Sequence, residues 1–301
     1  MKNIFLKIRA AAHKVTHPRT TEDSIRIHKL RQGVRTLIFQ EENTERDYNS
    51  LEGNMWRLFR SELRHNILFH DPRYFLQWPI IKRTMFYPGH EAEVLALKKS
   101  PHWNTWKLGI EECPIGYPTR YANYHSSSGN LIHHAYELLQ LEHAFGVRLE
   151  NLKNIFEFGG GYGSTARLFY QMGFRGSYTI FDFPEFSLLQ EFFLSSLREK
   201  ARGVKYITHI NNLQKVSSNP DLFIAAWSLS EAPFPVRDEI LSHVPEPKYY
   251  LIAYQGTFQD MNNINYFNKF QNEKIEYRWV HYPMQHIPGN YFLLGERISN
   301  K

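Results

Sequence analysis

Apolar and polar positions fall into two textures along the chain. Up to about residue 150, apolar residues recur three or four apart and predict helices over 22–42, 47–69, 89–99 and 129–145. Asp71-Pro72, Trp78-Pro79, Tyr87-Pro88-Gly89 and a Pro/Gly-rich stretch at 113–119 separate them. The fourth helix is the best marked. Ser128 suits an N-cap, Leu131, Ala135, Leu138, Leu139 and Leu141 form an apolar face, and Gly146 stops it.

From Lys153 onward, short apolar runs alternate with helical segments. Strands are expected at 154–158, 178–181, 204–210, 221–227 and 249–254. Helices are expected at 164–172, 184–202, 236–243 and 262–271, with Pro184 at the first position of the second. Two last strands, 275–282 and 290–295, follow each other without a helix and predict a hairpin. Alternation of this kind implies an α/β fold: a mostly parallel sheet with helices on both faces. Right-handed crossovers then gather the post-strand loops on one rim, where open sheets bind ligands. The chain divides into a helical N-terminal arm and cap, 1–150, expected to select the substrate, and the sheet domain, 151–301.

Composition narrows the class. With 301 residues, 42% apolar and 22% charged, the chain can bury a core without disulfides or metals. The single cysteine, Cys113, excludes an intramolecular disulfide and a cysteine zinc cluster, and fits a reducing compartment. The net charge of +6 is uneven: residues 1–35 hold nine Lys/Arg against Glu22 and Asp23, and the rest is nearly neutral. A nucleic-acid enzyme would spread its basic residues over a folded face, so none is expected as partner. No apolar run is long enough to cross a membrane, and Lys2, Lys7 and Arg9 interrupt any signal-peptide core. The protein is therefore expected in the cytoplasm. Ile4, Ile8, Ala11 and Val15 recur at helical spacing among basic residues, so the arm is either a helix resting on an anionic membrane or an ordinary solvated helix.

The sharpest chemical signal is Glu157-Phe158-Gly159-Gly160-Gly161-Tyr162-Gly163 between the first strand and its helix. Glycines let a chain turn tightly and a ligand approach the backbone. Asp182, ending the next strand, is placed to accept hydrogen bonds from ribose hydroxyls. A dinucleotide loop would place Gly or Ala where Ser164 stands, which opposes a nicotinamide oxidoreductase. The pattern is instead E-x-G-x-G-x-G, and Glu157 could attract the ammonium group of an amino-acid-bearing cofactor.

This segment with Asp182 resembles motif I and the ribose-binding acid of the class I S-adenosylmethionine-dependent methyltransferases. The resemblance spans about 155–297 and implies a Rossmann-like seven-stranded sheet, parallel with an antiparallel terminal hairpin, and S-adenosyl-L-methionine as cofactor. Residues 156–163, Phe181 to Phe186 with Leu189-Gln190, Ser228 to Pro233 and the Asn130 to Tyr136 helix are similar to a bacterial group of sugar O-methyltransferases. A sugar hydroxyl in surface-glycan or related polysaccharide assembly is thus the implied acceptor. Another small molecule (an amine, a phosphate or a natural product) and a non-catalytic binding protein of this fold are the alternatives.

In this fold the rim of the fourth strand lies beside the transferred methyl. Trp227 is expected to touch the cofactor, and Glu231 to take the proton of the attacking hydroxyl. Plant small-molecule O-methyltransferases carry a His-Asp pair at that turn. Here Ser230-Glu231 stands there, leaving Glu231 or a histidine from another loop. Of His125, His133, His134, His209, His281 and His286, the last is ranked first, because it lies in the 283–289 loop near the rim. Asn211 or Asn212 suits the adenine amine, and Phe183 the adenine face. Glu231-Ala232-Pro233-Phe234 departs from the Asp/Asn-Pro-Pro-Tyr/Phe of base amino-methyltransferases. No metal site is expected: Asp182 and Glu231 lack a third acid, and adjacent His133 and His134 point apart on a helix. The aromatics Tyr74, Trp78, Trp103, Trp106, Tyr117, Tyr121 and Tyr124 crowd the cap, either to face a sugar or to fill a core.

Overall fold

A computed structural model describes residues 19–42, 54–197, 203–216 and 219–298. The amphipathic stretch 4–15 lies outside them. Seven strands form the main sheet: β1 (Asn154–Phe158), β2 (Ser177–Phe181), β3 (Val204–Ile207), β4 (Leu222–Ala226), β5 (Tyr249–Gln255), β6 (Tyr277–Pro283) and β7 (Asn290–Arg297). Their spatial order is β6-β7-β5-β4-β1-β2-β3. Pairings from β3 through β5 are all parallel, and β7 runs antiparallel to both β5 and β6. This is the sheet expected above, terminal hairpin included. The chain reverses strand order at β1 and β4, and an open sheet leaves a ligand crevice at such a point.

Strands β1, β4 and β5 are buried along nearly their whole length, which is why they read as continuous apolar runs rather than alternating ones. Alternate side chains serve the two faces. Ile155, Ile180, Leu222 and Leu251 join one core, while Phe156, Phe223, Tyr250 and Ile252 join the other. The second core is closed by α9 (Phe234–His243) and α10 (Asn263–Glu273), through Val236, Ile240, Phe267 and Phe270.

The N-terminal half packs on the first face and shares its core. Its helices are α1 (Thr21–Glu42), α2 (Asn54–Phe69), α3 (Pro79–Met85), α4 (Glu91–Lys99), α5 (Trp103–Gly109) and α6 (Gly129–Phe145). Ile27, Leu63, Trp78 and Leu138 are continuous with Ile155 and Ile180 of the sheet. Helices α7 (Ser164–Gln171) and α8 (Pro184–Ser195) lie between. Fully buried Glu185 of α8 accepts two hydrogen bonds from Arg60 of α2, at 2.8 and 3.1 Å, and tethers the cap beside the crevice. Among the described residues, no helix is long and apolar enough to cross a membrane.

The structure departs from the sequence reading at several boundaries. The breaks at Asp71-Pro72 and Trp78-Pro79 are helix starts: each proline takes a first-turn position, where a missing N–H costs nothing. Strand β3 ends at Ile207 rather than 210, and 210–215 form a 3₁₀ turn. Strand β4 stops at Ala226, because Trp227 turns out of the sheet with φ +59°. A small hairpin, Arg120–Tyr121 with Tyr124–Ser128, leads into α6, where Ser128 accepts from Leu131 N–H as the expected N-cap.

Candidate functional site

The glycine loop is held from both sides. Gly159 N–H donates to Phe181 C=O at 2.8 Å, across to β2. Gly159 has φ +73°, and a Cβ there would lie 2.3 Å from that of Ser228. The Ser228 hydroxyl donates to Phe158 C=O, binding the loop after β4 to the loop after β1. Gly161 (φ +58°) and Gly163 (φ +91°) complete the turn, and Gly163 caps α7. At Gly160 a Cβ would press on Ile180 at 2.7 Å and on Glu157 Oε2 at 3.0 Å.

Above this loop opens a cavity of about 880 Å³ at the carboxyl ends of the strands. Glu157, Gly159, Gly160, Gly161, Asp182, Phe183, Asn211, Asn212, Trp227 and Glu231 all line it, so residues spread over 75 positions converge. Gly163 is not in the lining; it shapes the turn from below. His133, His134 and His209 line it, whereas His281 bonds Tyr254 at 2.7 Å and His125 is exposed on the hairpin. His286, ranked first as a catalytic histidine, is not in the lining either; its Nε2 bonds Glu93 at 2.7 Å.

The cap supplies the opposite wall, through Trp56 and Met85 to Tyr87, which the sequence reading did not single out. Trp56 packs against Phe183 with centroids 5.9 Å apart, and the Met85–Tyr87 segment crosses the glycine loop. Asn130 of α6 clamps that segment: its Oδ1 accepts from Tyr87 N–H at 2.7 Å, and its Nδ2 donates to Met85 C=O. None of the seven cap aromatics singled out in the sequence lines the cavity. Tyr74, Trp78, Trp106 and Tyr121 are buried in the cap, so their role there is packing.

Three acids give the cavity its electrostatic character. Burial pushes Glu157 up to about 7, although Tyr178 donates to it at 2.9 Å. Burial pushes Asp182 up to about 8, against hydrogen bonds from Phe183 N–H at 2.8 Å and Gln190 Nε2 at 2.7 Å. Glu231 is likewise raised by burial to about 7, with one long contact from Gln255 at 3.4 Å. Arg60, the one lysine or arginine among the described lining residues, is engaged by Glu185.

These shifts fix the sign of a pH dependence. Raised carboxyls hold more protons folded than unfolded, so their contribution to stability falls as pH rises toward 8. His134 opposes them, because burial lowers it to about 3, but its effect is confined to pH below about 6.5. The melting temperature of the ligand-free protein should therefore decline between about pH 6.5 and 8.5. A melting temperature that climbs across that range would contradict the burial of these acids.

Trp227 touches both sheet and cap. Its positive φ is a strained conformation for a bulky residue, held by Trp227 N–H to Ala253 C=O at 2.7 Å. Its indole N–H donates to Asn290 at 2.7 Å, and its ring stacks on His133 at 4.9 Å. The turn leaves Trp227 in the cavity lining.

No family model matches the chain, and no curated protein does. Among solved structures, an O-methyltransferase family protein from Burkholderia thailandensis is similar at 10% identity, covering 56% of this chain and 58% of that one, with a TM-score of 0.39. An rRNA methylase from Streptococcus thermophilus is similar at 16% identity, over 50% of this chain and 92% of that one, with a TM-score of 0.39. A fibrillarin pre-rRNA processing protein from Methanococcus jannaschii is similar at 9% identity, over 51% and 70%, with a TM-score of 0.38. The chain spans little more than half the length of the first of these. None of these likenesses is close enough to say what the chain does.

Proposed function

We propose that the chain is an S-adenosylmethionine-dependent O-methyltransferase acting on a sugar hydroxyl, in surface-glycan or related polysaccharide assembly. The observation that carries the cofactor is the acid-lined cavity over a glycine loop, in which the one lysine or arginine among the described lining residues, Arg60, is engaged by Glu185. Acids held partly neutral by burial are stabilised as carboxylates by a ligand bearing positive charge and ribose hydroxyls, whereas a pyrophosphate offers them neither. Bound S-adenosylmethionine would supply an electrophilic methyl group on its sulfonium. Asp182 would accept from the ribose hydroxyls, losing its proton as it does so, and Glu157 would face the ammonium group. Gly159 and Gly161 would give the ligand access to the backbone, Phe183 and Trp56 border one wall, and Asn211 or Asn212, also in the lining, would bond the adenine amine.

Glu231, in the lining beside the loop after β4, would take the hydroxyl proton. A general base works best with a pKa near the operating pH, and burial brings Glu231 to about 7. The cap supplies the wall opposite the glycine loop, through Trp56 and Met85 to Tyr87. The sugar acceptor rests on the resemblance of 156–163, 181–190 and 228–233 to the sugar O-methyltransferase group, together with a hydroxyl's need for such a base. Mass spectrometry of glycans from a deletion strain should find one methyl group missing, restored by the wild-type gene. Unchanged glycans, with a methylated amine, phosphate or other metabolite lost instead, would move the reading to another acceptor.

A further inference from the structure

On the cap side of the cavity, three side chains from distant parts of the chain converge, and one of them, His133, is itself in the lining. Glu93 of α4, His133 of α6 and His286 of the β6–β7 loop place one donor atom each within 4.8 Å of the other two. It is the one such grouping of three or more among the described residues. The shared atom is Glu93 Oε1, which meets His133 Nδ1 and lies 2.7 Å from His286 Nε2. Glu93 is fully buried, His133 nearly so, and the His286 side chain is 6% exposed.

As a purely hydrogen-bonded cluster this arrangement is incomplete. With the His133 Nδ1 proton directed at Glu93, Nε2 is left bare, facing Glu137 Oε1 at 3.8 Å. Glu93 Oε2, His133 Nε2 and Glu137 Oε1 are all buried and have no hydrogen-bond partner. Buried polar atoms without partners are uncommon, and three around one ring ask for an explanation.

We propose that Glu93, His133 and His286 bind one divalent transition-metal ion of the zinc class. Two imidazoles and one carboxylate are a zinc donor set, and soft or borderline ions prefer it to magnesium. Ligation through His133 Nδ1 puts the ring proton on Nε2, where Glu137 Oε1 stands as its acceptor. A ligating histidine that turns its other N–H toward a carboxylate is the usual arrangement around such ions, and it satisfies two of the three orphaned atoms. A tetrahedral ion holds its donors about 3.3–3.5 Å apart, so Glu93 Oε1 and His286 Nε2, now 2.7 Å apart, need separate by less than about 1 Å. The sequence conceals the set: Glu93, His133 and His286 are separated by 40 and 153 residues, and no pair has ligand spacing on one helix. The ion ties the cap to the terminal hairpin and fixes the ring on which Trp227 stacks.

The test uses full-length protein freed of metal with a chelator, then titrated with zinc chloride against a chromophoric competitor. The wild type should take up one tight equivalent, with a higher melting temperature after loading. His286→Asn, at a loop position, should weaken that uptake at least a hundredfold and abolish the thermal gain. Glu93→Gln should do the same, and S-adenosylhomocysteine binding measured on the same samples reports whether each variant is folded. Absence of a tight equivalent in the wild type would overturn the proposal, as would equal uptake by folded His286→Asn. Either result leaves the cofactor reading untouched, because that is read from the nucleoside ligand alone.

Discussion

Asp182→Ala should abolish the thermal stabilisation that S-adenosylhomocysteine gives the wild-type protein. Hydrogen bonds to a charged acceptor contribute about 1.5–3 kcal/mol each, so two ribose hydroxyls would lose about 3–6 kcal/mol. At about 1.4 kcal/mol per tenfold, that is about 10²- to 10⁴-fold in Kd. A folding defect is separable from this loss. Asp182 is raised to about 8 in the ligand-free state, so burial already favours its neutral form. Asp182→Asn should accordingly melt no lower than wild type at pH 8.5 or above, where the wild-type carboxylate is charged, and still bind poorly. Gly161→Arg should give the same loss by another route. The residue has φ +58°, and a side chain there would grow toward Met85, whose Sδ lies 3.4 Å from the position of a Cβ. Isothermal titration of the three variants checks both routes, and near-wild-type affinity in Asp182→Ala would remove the ribose assignment.

Glu231→Gln should lower the methylation rate by about 10²- to 10⁴-fold, the range of general-base catalysis, while cofactor affinity stays within a few-fold. The amide keeps the shape and the contact to Gln255 but cannot accept a proton. In the wild type, kcat should rise with pH through about 7 as Glu231 ionises, and that rise should disappear in the variant. The deletion strain complemented with the variant should regain little of the missing methyl group. Full restoration would show that another group takes the proton, with His133, His134 and His209 the histidines of the lining.

Much of the sheet was legible because its signals are local. Strand, glycine turn, helix, strand and acid occupy one continuous stretch from Asn154 to Asp182, and each boundary has its own residue: Gly159, Gly163, Gly173, Asp182. Burial on both faces wrote β1, β4 and β5 as plain apolar runs. What the sequence hid depends on tertiary placement. Pro72 and Pro79 read as breaks, yet both begin helices, and the second of these leads the chain to Met85 and over the loop. Trp227 reads as the last residue of a strand, and only the Ala253 and Asn290 contacts explain its turn outward. His286 was singled out for its loop near the rim, but its nearest acid, Glu93, lies 193 residues away and no spacing rule connects them.

The central claim is that the acid-lined cavity holds an S-adenosyl ligand, and paired titrations of wild-type protein with S-adenosylhomocysteine and with NAD test it most directly. The structure predicts one saturable site for the first, tighter at pH 8 than at pH 6 because Glu157 and Asp182 must be ionised to bind it, and no heat from the second. Saturable NAD binding, or no binding of S-adenosylhomocysteine at either pH, would contradict it.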